Sequence, residues 1–78
     1  MWDNERQHGF LRLQGFAPND PHAARYQLWI FDAGRDDRYP VDGGVFDVPA
    51  GRDRVVIPVK PAVRVSRPAA FAVTVERP

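Results

Sequence analysis

Tyr26-Gln27-Leu28-Trp29-Ile30-Phe31-Asp32 is the stretch on which the fold turns. Tyr26, Leu28 and Ile30 alternate strictly with Gln27, Trp29 and Phe31, and Gln27 is the sole polar residue before the closing aspartate. A period of two belongs to a strand, whose successive side chains leave opposite faces of a sheet. Bulk on both sides predicts a central strand held between two layers, with Trp29 and Phe31 buried alongside Tyr26, Leu28 and Ile30.

On either side of this strand, eight prolines and six glycines cut the chain into short extended runs and leave no window for a sustained helix. Upstream, residues 10–14 alternate Leu11 and Leu13 with Arg12 and Gln14, a strand with one wet face. The turn-forming Ala17-Pro18-Asn19-Asp20-Pro21-His22 then links it to Tyr26. Downstream, residues 33–44 read as a long polar loop, followed by a short strand over residues 45–48 with Phe46 and Val48 on one face. A turn at Pro49-Ala50-Gly51-Arg52 predicts an antiparallel hairpin between that strand and the next, residues 54–60, whose Val55, Ile57 and Val59 face the core.

Pro58 has no N–H for a ladder, so residues 54–60 are expected at a sheet edge there, or else to carry a bulge. Residues 61–68 read as a loosely ordered crossover, and residues 70–76 as a final half-buried strand with Phe71, Val73 and Val75 inward. The fold class is all-β: a small antiparallel β-sandwich or partly open barrel of five to six strands. Residues 1–8 read as a flexible N-terminal stub and 9–78 as the β domain.

Composition narrows the function classes. Eleven basic and ten acidic residues give a net charge of +1, and arginines 35, 38, 52 and 54 are interleaved with aspartates, so no carboxylate-free basic stripe points to nucleic acid. No cysteine is present, which removes disulfides and thiolate metal ligands. No run approaches the ~20 apolar residues of a membrane helix, and the polar start lacks the apolar core of a signal peptide. As a sequence, the chain reads as soluble.

Three stretches carry a resemblance. Tyr26-Gln27-Leu28-Trp29, the later Gly44-Val45-Phe46 and the closing Phe71-Ala72-Val73-Thr74-Val75-Glu76 stand in the order and spacing of the C-terminal, extracytoplasmic domain of RskA-type anti-sigma-K factors. The likeness runs from about Gly9 to Glu76; a Gly-Leu-Pro-like corner is replaced by Gly15-Phe16-Ala17-Pro18. The resemblance implies a non-enzymatic regulatory or sensory module of a membrane-anchored anti-sigma factor, which negatively regulates an extracytoplasmic-function sigma factor. It places the module at the periplasmic face of the inner membrane, with residues 1–8 as the stub after the membrane.

In such proteins the sigma factor is held by a cytoplasmic region absent from this chain, and a regulatory protease cuts the membrane segment. Family members also continue past the last motif into another strand. The C-terminal strand is therefore expected to expose a sheet edge that recruits a second copy as a homodimer. The alternative is a generic extracytoplasmic β-sandwich that binds carbohydrate or protein.

Candidate chemistry is sparse. His8 and His22 have no partner at zinc spacing, Ser66 stands without a Ser-His-acid pattern, and Gly43-Gly44 is not followed by the Lys-Ser/Thr of a phosphate loop. Asp32, Asp36, Asp37 and Asp42 invite a calcium reading, but Arg35 and Arg38 oppose it and favour a hydrated, charged loop. Asp36, Asp37, Tyr39 and Asp42 remain the candidate ligand loop, with no cofactor or metal expected. Trp29, Phe31 and Tyr39 are the candidates for an aromatic stacking platform, although core packing is the expectation for Trp29 and Phe31. Trp2 is expected either to pack back on the sandwich or to lie at a membrane surface.

Overall fold

A computed structural model describes residues 2–36, 38–51 and 53–77. Six strands follow in order: β1 (Trp2–Asp3), β2 (His8–Gln14), β3 (Arg25–Asp32), β4 (Val41–Phe46), β5 (Arg54–Val59) and β6 (Pro68–Glu76). They form two three-stranded antiparallel sheets, β1-β2-β5 and β4-β3-β6. The all-β, sandwich-like architecture expected from the alternation is the one observed. Pairing follows the pleat. Leu11 faces Ile57 and Leu13 faces Val55 in the first sheet; Tyr26 faces Phe46 and Val75, and Leu28 faces Val73, in the second.

The core lies between the sheets. Tyr26, Leu28 and Ile30 of β3 meet Val41 and Phe46 of β4, Ile57 and Val59 of β5, and Val48 and Val65 from connecting segments, with Trp2, Leu11, Leu13, Phe16, Val55 and Val73 packed around them. Tyr26 stacks on Phe46 at 5.3 Å between ring centres, Phe16 meets Tyr26 edge-on at 5.5 Å, and the phenol donates to the Ala17 carbonyl at 2.7 Å. An aromatic with a polar tip thus seals one end of the sandwich while its hydroxyl remains paired.

Several expectations are corrected. The 45–48 and 54–60 strands do not form a hairpin: β4 pairs with β3 and β5 with β2, so the segment between them carries the chain from one sheet to the other. Turn residues mark where a chain reverses but not which neighbour it then finds. The strand around Phe46 begins at Val41, inside the expected loop, because Val41 is buried opposite Ile30. Residues 2–8 are no stub: Trp2 pairs with Gly9 and Asp3 with His8, closing a hairpin whose turn is held by the Asp3 carboxylate accepting from the N–H groups of Glu5 and Arg6.

Nor is the 61–68 crossover loose. Val65 is 0% exposed, and Gln7, at a positive φ of 54°, clamps its backbone from both sides: the amide Nε2 donates to the Val65 carbonyl at 2.7 Å and Oε1 accepts from the Val65 N–H at 2.6 Å. Pro58 does stand on an edge strand, as expected, facing Phe10 across the ladder.

β4 carries a bulge at the register shift between Leu28 and Trp29, where Gly44 faces Leu28 but Asp42 faces Trp29. Gly43 is the extra residue, and a Cβ there would sit 3.0 Å from Leu28 Cδ2 and 3.1 Å from Ile30 Cδ1. Both of those side chains are buried and cannot yield. Gly43→Ala is therefore expected to destabilise the fold by about 1–3 kcal/mol through overpacking, read as a lower urea midpoint with an unchanged denaturant slope.

Candidate functional site

The acidic loop after β3 does not converge on a ligand. Asp36 is engaged by Arg38, whose guanidinium Nη2 donates to Oδ2 at 2.7 Å and whose backbone N–H donates to Oδ1 at 2.9 Å; the side-chain bond chiefly, then the backbone bond, holds this carboxyl below its usual range. Tyr39 is 70% exposed, with the Arg38 guanidinium 5.7 Å from its ring centre. Asp42 belongs to β4, where Oδ1 accepts from Gln27 Nε2 at 2.6 Å and from the Gly44 N–H at 2.8 Å. Asp37 lies outside the described residues. Among the described residues no group of three or more potential metal-ligating side chains comes together.

Asp32 departs furthest from its expected surroundings. Its carboxylate is buried at the end of β3 and accepts three backbone N–H groups: Gly34 at 3.0 Å and Arg67 at 3.1 Å on Oδ1, and Ser66 at 3.1 Å on Oδ2, with Arg35 Nε at 3.7 Å. Donation from Gly34 first, then from Ser66 and Arg67, with the nearby Arg35 charge, holds its carboxyl below the ordinary carboxylate range against the opposing effect of burial. Asp32 is thus a structural anchor that ties the β3 exit to the crossover before β6.

A similar device closes the opposite end. The Asn19 side-chain carbonyl accepts from the Val48 N–H at 2.7 Å, and its amide donates to the Ala24 carbonyl and to Asp47, each at 2.9 Å. Asp47 also takes a two-pronged contact from Arg25, with Nη2 at 2.7 Å and Nε at 3.0 Å, and Arg25 first, then Asn19, lowers its pKa.

The outer face of the second sheet carries Trp29 and Phe31. Neither is in the core; both are half-buried on the side turned away from the first sheet. This corrects the expectation of a strand covered on both faces. Alternation shows that two faces are bulky, not that both are covered. The Trp29 indole N–H reaches across β6 and donates to Thr74 Oγ1 at 2.9 Å, above a register in which Ala72 faces Trp29 and Ala70 faces Phe31. The small residues opposite let two rings lie along their own sheet.

Gln27, by contrast, is buried although it points to that outer side. Its amide donates to Asp42, to the Gly44 carbonyl at 3.2 Å and to the Leu28 carbonyl at 3.1 Å, satisfying the bulged backbone. Of the remaining motif residues, Gly44 adopts a φ of 108° at the bulge and Glu76 faces Arg25 at the end of β6. Trp2 packs against the core, which settles its place among the described residues. Two concavities lie elsewhere, on the first sheet; one of about 610 Å³ is bounded by Arg12, Leu13, Gln14, Arg54, Val55 and Val56, and one of about 620 Å³ by Phe10, Leu11, Arg12 and Val56.

His22 sits in the turn after Asp20, whose carboxylate accepts its N–H at 3.0 Å, and His8 packs edge-on against Phe10. No helix is present among the described residues, and none is long and apolar enough to cross a membrane. Comparison of the chain with protein-family models, with curated proteins and with solved structures gave no match.

Two measurements follow from this geometry. Because Asp32 has a lower pKa folded than unfolded, the unfolded chain binds more protons in acid, so its contribution is present above the ordinary value of about 3.9 and is lost as pH falls through the folded pKa. The melting-temperature gap between the natural chain and Asp32→Asn is therefore expected to be widest near neutrality and to shrink below about pH 4. Trp29→Ala, at a half-buried site, should cost about 1–2 kcal/mol in urea unfolding, less than the ~3–5 kcal/mol of a fully buried aromatic.

Proposed function

We propose that this chain is the extracytoplasmic regulatory module of a membrane-anchored anti-sigma factor, a non-enzymatic domain on the outer side of the inner membrane. The observation that carries this reading is topological: the three stretches that resemble the RskA-type outer domain are neighbours in one sheet. Tyr26-Gln27-Leu28-Trp29 is the centre of β3, Gly44-Val45-Phe46 closes β4 on one side of it, and Phe71 to Glu76 fills β6 on the other. Tyr26 packs on Phe46, Leu28 faces Gly44 and Val73, and Trp29 donates to Thr74, so the motif residues support one another in space. In this reading the module acts through its folded bulk, by governing access of a protease or ligand to the membrane segment, while the sigma factor is bound by a cytoplasmic region outside this chain.

The test uses the intact protein in its cell. Excising residues 9–76 should leave capture of the sigma factor intact and change the stimulus at which the sigma-dependent promoter fires; a promoter indifferent to the excision removes the reading. The isolated chain should give no heat on titration with the sigma factor, and saturable sub-micromolar binding would sink that part of the proposal.

A second reading, a binding module for carbohydrate or protein, draws on the outward position of Trp29 and Phe31. Ring faces along a sheet beside Thr74 and Asp42 suit a stacking ligand with hydroxyl groups. Oligosaccharide titrations followed by tryptophan fluorescence distinguish the two: a saturable shift abolished by Trp29→Ala would favour the binding module.

A further inference from the structure

We infer that β6 is a self-complementary edge through which two copies of this chain pair antiparallel about Val73, joining their second sheets into one continuous six-stranded sheet. The inference stands apart from the regulatory reading and rests on how the edges of this fold are finished.

Three of the edges are protected. Pro58 interrupts the outer ladder of β5. The outer side of β4 is occupied, because Lys60 and Ala62 donate their backbone N–H groups to the carbonyls of Gly43 and Asp42, each at 2.9 Å. β1 is two residues long. β6, at nine residues the longest strand, pairs with β3 along one side and has no lysine and no inward charge; its proline and its bulge, at Ala69, are confined to the first two positions and leave residues 70–76 regular.

Its inward row is also covered only in part. Phe71, Val73 and Val75 face Ile30, Leu28 and Tyr26 across the ladder and so point to the core side, as the alternation predicts. Yet Phe71 is 39% and Val75 62% exposed. Of the three, Val73 is half-buried against the core, and the two flanking residues are the exposed ones.

The sequence of β6 selects the occupant. A two-fold axis normal to the sheet requires a residue to face its own copy, and centring it on Val73 places Phe71 opposite Val75 of the second copy, Ala72 opposite Thr74 and Ala70 opposite Glu76. The exposed apolar row of each copy then continues into that of the other as aromatic–β-branched and Val–Val pairs. Charge settles the register. Centring on Ala72 instead would set Arg67 against Arg77 and Pro68 against Glu76; centring on Val73 confines the ladder of β6 to residues 70–76, clear of Arg67 and Pro68, and opposes Glu76 to an alanine.

The chain contains no cysteine, so a single introduced thiol reports the pairing directly. Val73→Cys is expected to form an intermolecular disulfide under mild oxidation at least about tenfold faster than Val56→Cys, an exposed position (60%) on the other sheet. Sedimentation of the natural chain at high micromolar concentration should show a monomer–dimer equilibrium. Val75→Lys should shift its dissociation constant upward at least about tenfold while leaving the circular dichroism spectrum unchanged. A natural chain that remains monomeric, Val73→Cys and Val56→Cys cross-linking at equal rates, or a dimer indifferent to a folded Val75→Lys, would each overturn the inference.

Discussion

Everything in this domain depends on one row of three side chains. Tyr26, Leu28 and Ile30 of β3 form the floor on which the other sheet rests, and each also faces a residue of β4 or β6 across the ladder. β3 is central in its sheet but apolar contact between layers is available on one side alone, so a chain of 78 residues obtains a core without a third layer. The bulge at Gly43 is a consequence of this arrangement. Leu28 and Ile30 fill the space a side chain would need, and the ladder gives way around them.

With so small a core, and no cysteine to cross-link it, the connections are held by polar side chains bonded to distant backbone. Gln7 clamps Val65, Asp32 accepts from Ser66 and Arg67, and Asn19 holds Val48 and Ala24. Each satisfies backbone groups that have no ladder partner, which a connecting segment packed against a core requires. The result is a crossover with its Val65 side chain inserted into the core, pinned on one side by the first sheet's hairpin and on the other by the exit of β3.

The alternation of residues 26–32 was sufficient to find β3 and the inward positions of β5 and β6, because period two is a property of the strand alone. Which side of β3 is covered is not legible from the alternation, since both sides carry bulk, Trp29 and Phe31 on one and Tyr26, Leu28 and Ile30 on the other. Partner choice was equally hidden: β2 meets β5 and β3 meets β6 across long stretches of chain, while adjacent β4 and β5 go to different sheets. Gln7 gave no signal at all, being one polar residue in a polar run, and the role of Asp32 depended on a segment 34 residues away. The candidate loop residues were visible by charge, but charge does not reveal that Asp42 would be drawn into the bulge by Gln27.

The pairing of early strands with late ones has a bearing on synthesis. β2 leaves the ribosome well before β5, and β3 well before β6, so on a nascent chain the first sheet waits for β5 and the second for β6. Hairpins β1–β2 and β3–β4 are the exceptions, since their strands are sequential. Ladders of this non-local kind place folding toward the slow end for a domain of this size, on the millisecond-to-second scale, because loop-closure entropy must be overcome before any contact rewards it. During that interval the apolar row of β3 is open to the solvent.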